Sequence, residues 1–195
     1  MTKYRIASAL LAIAVATLGV LTAAEEQPTA TGAQQFEALK KLVGDWVQVG
    51  EDGKPTDQVL SSIRLTAGGS ALCETIFPGT DKEMITMYHL DGSDLLLTHY
   101  CILGNQPRLR AEHGQDPHHI AFKYLNGTNL NSEKDHHMNQ ATFTLIDADH
   151  FQSEWASCEG GKTCHQVKLN MVRSKAQPEK KAETGKAKTA TCCSR

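Results

Sequence analysis

The chain has 195 residues, a formal charge of −2 and 22 % charged side chains. A charge so close to zero excludes the strongly basic surface of a nucleic-acid binder, so no nucleic-acid partner is expected. The length suits one domain once the two ends are set aside.

The amino terminus opens with Lys3 and Arg5, continues as an apolar run from Ile6 to Leu21, and offers Thr22-Ala23-Ala24 before Glu25. This is the pattern of a secretory signal peptide over 1–24. The run falls short of the ~20 apolar residues of a membrane span. No stable anchor is therefore expected after cleavage, and the chain reads as exported, periplasmic or extracellular. Residues 25–33 read as a linker.

In "QQFEALKKLVGDW", Phe36, Leu39, Leu42 and Val43 recur at helical spacing, and Gly44 follows as a C-cap. After that the period changes to two. Strands are predicted at Trp46–Val49, Gln58–Thr66, Ala71–Phe77, Met84–Leu90, Leu95–Ile102, Leu109–His113, His119–Leu125, Ala141–Ile146, Phe151–Ser157 and His165–Arg173. Turn-forming pairs separate them, among them Gly68-Gly69, Pro78-Gly79, Asp91-Gly92, Gly104-Asn105 and Gly160-Gly161. Many short strands at even spacing predict an all-β fold, and consecutive hairpins favour an up-and-down antiparallel β-barrel over 34–173. One long loop, Asn126 to Asn139, breaks the rhythm.

Alternation assigns the inner face. Val167, Leu169 and Met171 share one side of the last strand; Phe151 and Trp155 share another, as do Ile120, Phe122 and Tyr124. A barrel of about ten strands is wider than side chains readily fill, since about eight already admit a small ligand. A cavity is the default expectation. The end of the chain, 174–195, is rich in Lys, Ala and Thr without apolar periodicity and is expected to be a disordered tail.

Six cysteines in an exported chain point to oxidising surroundings. Cys158 and Cys164 bracket a turn-like "EGGKT", so a disulfide across that hairpin is the favoured pairing. Cys192 and Cys193 fall in the tail, and the pairing of Cys73 and Cys101 stays open.

"Leu42-Val43-Gly44-Asp45-Trp46" resembles the calycin signature, a helix followed by Gly-x-Trp opening the first strand, which lipocalins, fatty-acid-binding proteins and nitrobindins share. That resemblance implies that Trp46 closes one end of the barrel, packed by Arg173 from the last strand. The segments "AGGSALCETIFPGT", "MITMYHLDG", "LTHYCILGNQPR" and "DHHMNQATFTLIDADHFQSEW" resemble uncharacterised exported bacterial proteins of the calycin type. The likeness implies a ten-stranded barrel and supplies no activity. Where those proteins carry His-Met-His, this chain has His137-Met138-Asn139. The nitrobindin likeness implies a haem ligand on the last strand, where His165 is the sole histidine.

The segment "LLLTHYCILGNQPRLR" collects the chemistry-capable side chains. His99 and Cys101 share a strand face, with Tyr100 opposite. A metal ion would take His99, Cys101 and a third ligand, His137 from the long loop first, with Glu74 or His89 behind it. Whether His89 shares the face of His99 or that of Tyr100 depends on the length of the loop at Asp91-Gly92, which spacing does not fix. Asn105, Gln106 and Arg108 follow Gly104 at a strand end, which places amides and a guanidinium at the barrel mouth, where they suit a polar ligand head. Two functions are open. The first is a non-catalytic protein holding a small, partly apolar ligand, with His99, Tyr100, Asn105, Gln106, Arg108 and Trp155 against it. The alternative is a metal- or haem-dependent enzyme. No Gly-x-Ser-x-Gly elbow or phosphate loop is present, and no catalytic residue is singled out.

Overall fold

The computed structural model describes residues 29–175. The expected signal peptide at 1–24 and all but the first two residues of the expected tail at 174–195, with Cys192 and Cys193, lie outside the described residues. One helix, α1 (Gly32–Lys40), precedes ten strands: β1 (Gly44–Val49), β2 (Pro55–Thr66), β3 (Ala71–Ile76), β4 (Met84–Asp91), β5 (Asp94–Tyr100), β6 (Gln106–Ala111), β7 (His119–Thr128), β8 (His137–Leu145), β9 (His150–Glu159) and β10 (Lys162–Arg173). All pairs are antiparallel and each strand joins its sequence neighbours, with β1 pairing β10 to close the barrel. Closure removes both sheet edges. No helix among the described residues is long and apolar enough to cross a membrane.

Several expectations change. The helix starts earlier, at a capping box that Thr31 and Gln34 make with each other's backbone N–H groups. It ends at Lys40 with Lys41 as its C-cap, so Gly44 is not its cap. Gly44 instead opens β1 at φ 137°, and a Cβ there would stand 2.7 Å from Arg173 Nη1. Glycine is needed because the guanidinium occupies the space.

The sixth strand begins at Gln106 rather than Leu109, and the seventh runs on to Thr128, because the two pair as Gln106 with Thr128 and Pro107 with Gly127. A bulge after Arg108 absorbs the extra residue, so Asn126, Gly127 and Thr128 are strand and not the start of the long loop. The eighth strand begins at His137, which shortens the long loop to 129–136. Between β4 and β5 the loop is two residues long, Asp91 facing Asp94. That register puts Thr86 opposite His99 and Tyr88 opposite Leu97, while His89 lies opposite Leu96 on the face of Tyr100.

The expected bridge between Cys158 and Cys164 does not form. Cys158 pairs with Thr163 and Ser157 with His165, leaving Cys164 in a bulge. Cys158 is buried, whereas Cys164 is exposed and its Sγ lies 3.2 Å from Ser157 Oγ.

The two ends of the barrel differ. At one end α1 lies across β4 and β5, and Phe36, Leu39 and Leu42 join Trp46, Leu97, Phe122, Phe143 and Phe151 in one buried cluster. Phe143 touches the rings of Tyr88, Phe122, Phe151 and Trp155, with centroids between 5.9 and 6.4 Å. Trp46 is fully buried, donates Nε1–H to Leu42 O at 2.7 Å and meets Phe151 edge-on. The Arg173 guanidinium lies 4.3 Å from the Trp46 ring centroid. It also donates to the carbonyls of Lys41, Val43 and Ala148 at 2.7 to 3.0 Å. These are the orphan carbonyls after the helix and in the β8–β9 turn, so a planar, five-donor cation joins three segments at once.

Lysine cannot reproduce that fork. Arg173→Lys is expected to lower stability by about 2–3 kcal/mol, from lost charge-assisted hydrogen bonds and ring stacking. Urea unfolding would read it as a lower midpoint at unchanged slope. A loss below about 0.5 kcal/mol would contradict this role for the guanidinium.

Candidate functional site

A cavity of about 350 Å³ opens at the end of the barrel away from α1. Its size reflects the sheet: ten strands enclose more room than the inward side chains fill. Its walls are Ile76 and Met84 from β3 and β4, Met138, Trp155, Val167 and Leu169 from β8 to β10, and Phe77, Ile102 and Leu103 from the loops. Ile102 is 58 % exposed and Leu103 46 %, so the rim as well as the wall is apolar. Lys82 adds a cation at the mouth.

His99 provides the buried polar group of the wall. It is 2 % exposed and lies against Trp155, ring centroids 5.2 Å apart. Its Nδ1 is 2.9 Å from Thr86 Oγ1. Burial lowers its pKa to about 4, so the ring is neutral at ordinary pH. Cys101 is half-buried on the same wall, and burial pushes its thiol up, away from the thiolate that metal or nucleophile chemistry needs.

Nearer the mouth, His136 Nε2 meets Ser157 Oγ at 3.0 Å, and Ser157 Oγ in turn meets Cys164 Sγ. His136, Ser157 and His165 all line the cavity. Asn105, buried behind the loop, donates Nδ2–H to His136 O at 2.8 Å, which ties the β5–β6 turn to the segment carrying this group.

Of the six side chains expected against a ligand, the cavity brings together two, His99 and Trp155. Tyr100 points outward and is 51 % exposed. Arg108 flanks the inward Leu109 and so faces out. Gln106 is spent on Gly104 O and the Thr128 hydroxyl, and Asn105 on His136 O. The early start of β6 explains this: residues expected in a mouth loop are strand or turn residues already bonded to their neighbours.

The metal set is not assembled either. His99 and Cys101 line the cavity but His137 does not. His137 is buried against Tyr124, ring centroids 4.4 Å apart, with Nδ1 at Asp135 O. Among the described residues no three His, Cys, Asp or Glu side chains are placed to hold a metal ion. The haem that the nitrobindin likeness implies does not fit the residues present. His165 stands on an exposed part of β10 at the mouth. The cavity is also near the lower bound, ~300 Å³, of small-molecule sites.

Side-chain order along the chain did not point to Ser157, His136 or the two methionines. For Met138 the signal was obscured, because a bulge between Met138 and Gln140 reverses the alternation that Ala141 and Phe143 set. Val167 and Leu169 were legible as inward residues from their period of two.

No family model matches the chain, and no curated protein matches it. Among solved structures, a protein of unknown function of the DUF3598 family from Nostoc punctiforme PCC 73102 is similar at 17 % identity and a TM-score of 0.45. The alignment covers 70 % of this chain and 49 % of that one, so the chain spans about half the length of its neighbour.

Burial of neutral His99 has a consequence for stability. Unfolded, the ring takes a proton near pH 6.5; folded, only near pH 4. Its contribution is therefore complete above pH 6.5 and is lost as pH falls to 4, up to about 3 kcal/mol at 1.36 kcal/mol per pH unit. Glu74, whose carboxyl burial pushes up, acts in the opposite sense. Comparing urea unfolding of wild type and His99→Leu from pH 7 to 4 isolates the histidine. The wild type should lose about 3 kcal/mol more than the variant; parallel pH profiles would contradict a buried neutral ring.

Proposed function

We propose that the protein binds a small, largely apolar ligand in the open end of the barrel, with His99 as its deep polar anchor and Trp155 as its aromatic wall. The observation that carries this reading is the cavity itself: about 350 Å³, walled by aliphatic, thioether and indole groups, with one buried imidazole at hydrogen-bond disposal. Concave apolar sites with few polar groups are the common form of small-molecule sites. Lys82 at the mouth favours neutral or anionic ligands over cations. The role is binding rather than catalysis, and the amino-terminal pattern supports action outside the cytoplasm.

A neutral bicyclic alcohol, 1-tetralol, is a suitable probe. Trp155 lines the cavity while Trp46 is sealed at the other end, so binding should change the emission of Trp155 alone. The expected Kd is about 10–100 µM, equivalent to roughly −5.5 to −7 kcal/mol. Met138→Trp should fill the cavity and weaken binding at least about tenfold while keeping the free energy of unfolding within about 1 kcal/mol. Binding that is equally strong in Met138→Trp, or a wild type that takes up neither this probe nor medium-chain alcohols, would sink the proposal.

A further inference from the structure

The cavity is sorted by depth. Nearest the open end, Ser157 on β9 stands beside His165 on β10; two residues further in, Trp155 stands beside Val167. His136, bonded to Ser157, belongs to the upper level. In the lower level His99, against Trp155, is the one polar side chain, and Leu169 lies deeper still. An occupant with a polar head and an apolar body matches that order when its head stays at the mouth.

Charge at the mouth is sorted as well. The loop between β3 and β4 carries Asp81, Lys82 and Glu83 in succession, and of the three only Lys82 lines the cavity. The loop holds that arrangement by its own bonds. Thr80 donates its N–H and its hydroxyl to Phe77 O, and Lys82 donates its N–H to Thr80 Oγ1 at 3.2 Å. The Glu83 carboxylate accepts the Gly79 N–H at 2.7 Å. Lys82 takes part in no ion pair among the described residues. No aspartate or glutamate lines the cavity, so the one permanent charge that faces an occupant is positive.

Below the mouth the wall suits a flat ring. Met84 on β4 and Met138 on β8 bring thioethers from different sides of the barrel, and Trp155 and Phe77 add aromatic faces. Sulfur against an aromatic ring adds to the gain from burying that ring, an increment that an aliphatic chain does not receive. Phe77 holds a left-handed backbone at φ 54°, unfavourable for a bulky residue, while its ring lines the cavity. We propose that the ligand is an aromatic carboxylate: its ring enters between Trp155 and the methionines, and its carboxylate stays at the mouth against Lys82. This rests on the cavity being a ligand site, as proposed above, and names the class of ligand. The carboxylate keeps part of its hydration in the open mouth, whereas an ammonium group there would face a like charge. A polar substituent on the far side of the ring reaches His99.

Calorimetric titration of the full chain at pH 7 and low salt, with 2-naphthoate, 2-naphthylmethylamine, 2-naphthylmethanol and octanoate as probes, tests the class. The naphthoate should bind at least about tenfold more tightly than the amine, which is protonated at this pH, because only the amine meets Lys82 with like charge. It should bind about threefold more tightly than octanoate, an aliphatic acid of similar hydrophobicity. Lys82→Gln changes an exposed loop position and should bring the naphthoate-to-amine ratio to about twofold or less, with the affinity for naphthylmethanol unchanged. A wild type that binds naphthoate and amine equally, or a ratio that survives in Lys82→Gln, overturns the carboxylate. Octanoate bound as tightly as naphthoate overturns the aromatic body. Naphthylmethanol bound with naphthoate refused overturns this inference and leaves the cavity a ligand site. Refusal of all the probes overturns the ligand reading itself, and this inference with it.

Discussion

Everything in this structure depends on one seam. The last strand must return to the first, Val172 beside Val47 and Arg173 beside Trp46, before ten strands can become a barrel. Until that pairing forms, β1 and β10 are open edges and the interior is one face of a sheet exposed to water. The Arg173 guanidinium reinforces the seam at the end of the last strand. It lies on Trp46, binds carbonyls from the helix exit and the β8–β9 turn, and occupies the space that glycine leaves at position 44. Trp46, Gly44 and Arg173 thus form one unit, and none of the three is replaceable independently of the others.

Closure at this strand number creates a volume problem that the two halves of the barrel solve differently. Near the helix the problem is solved by mass: Trp46, Phe122, Phe143 and Phe151 fill the interior with rings, and α1 covers the opening. Towards the other end the packed cluster of rings stops at Trp155, with Phe77 beyond it at the cavity wall. Beyond Trp155 stand Met84, Met138, Val167 and Leu169, side chains that coat a wall without meeting across it. Two buried polar groups stand between the filled half and the empty half: Glu74 with its Ser61 and Tyr88 donors, and His99 with Thr86. A purely structural interior would gain from apolar residues at these positions, because a buried carboxylate costs more in desolvation than hydroxyl partners readily return.

The fold was legible in the sequence because alternation and turn chemistry are local. Val167, Leu169 and Met171, or Ile120 and Phe122, report their face by their neighbours alone. All ten strands could be placed that way. The candidate site was legible only in part. His99 and Trp155 were found, since they sit in uninterrupted alternation. Arg108, Gln106 and Asn105 were assigned to a mouth loop because Pro107 and Gly127 hide a strand pair, one that depends on a close approach of two distant segments. Met138 was hidden by a bulge, and the pairing of Thr86 with His99 by a register that depends on whether two or three residues turn between β4 and β5. Each miss is a non-local pairing choice, which side-chain order along the chain does not encode.

Ligand binding at this site requires an interior that is filled at one end and empty, apolar and accessible at the other. Diffraction from crystals held under xenon pressure tests this most directly, since xenon enters dry apolar cavities without needing a polar partner. Xenon density is expected beside Trp155, Met138 and Leu169, and none between Trp46, Phe143 and Phe151. Side chains closed over the first position, with no xenon there, would contradict the open cavity and the binding role built on it.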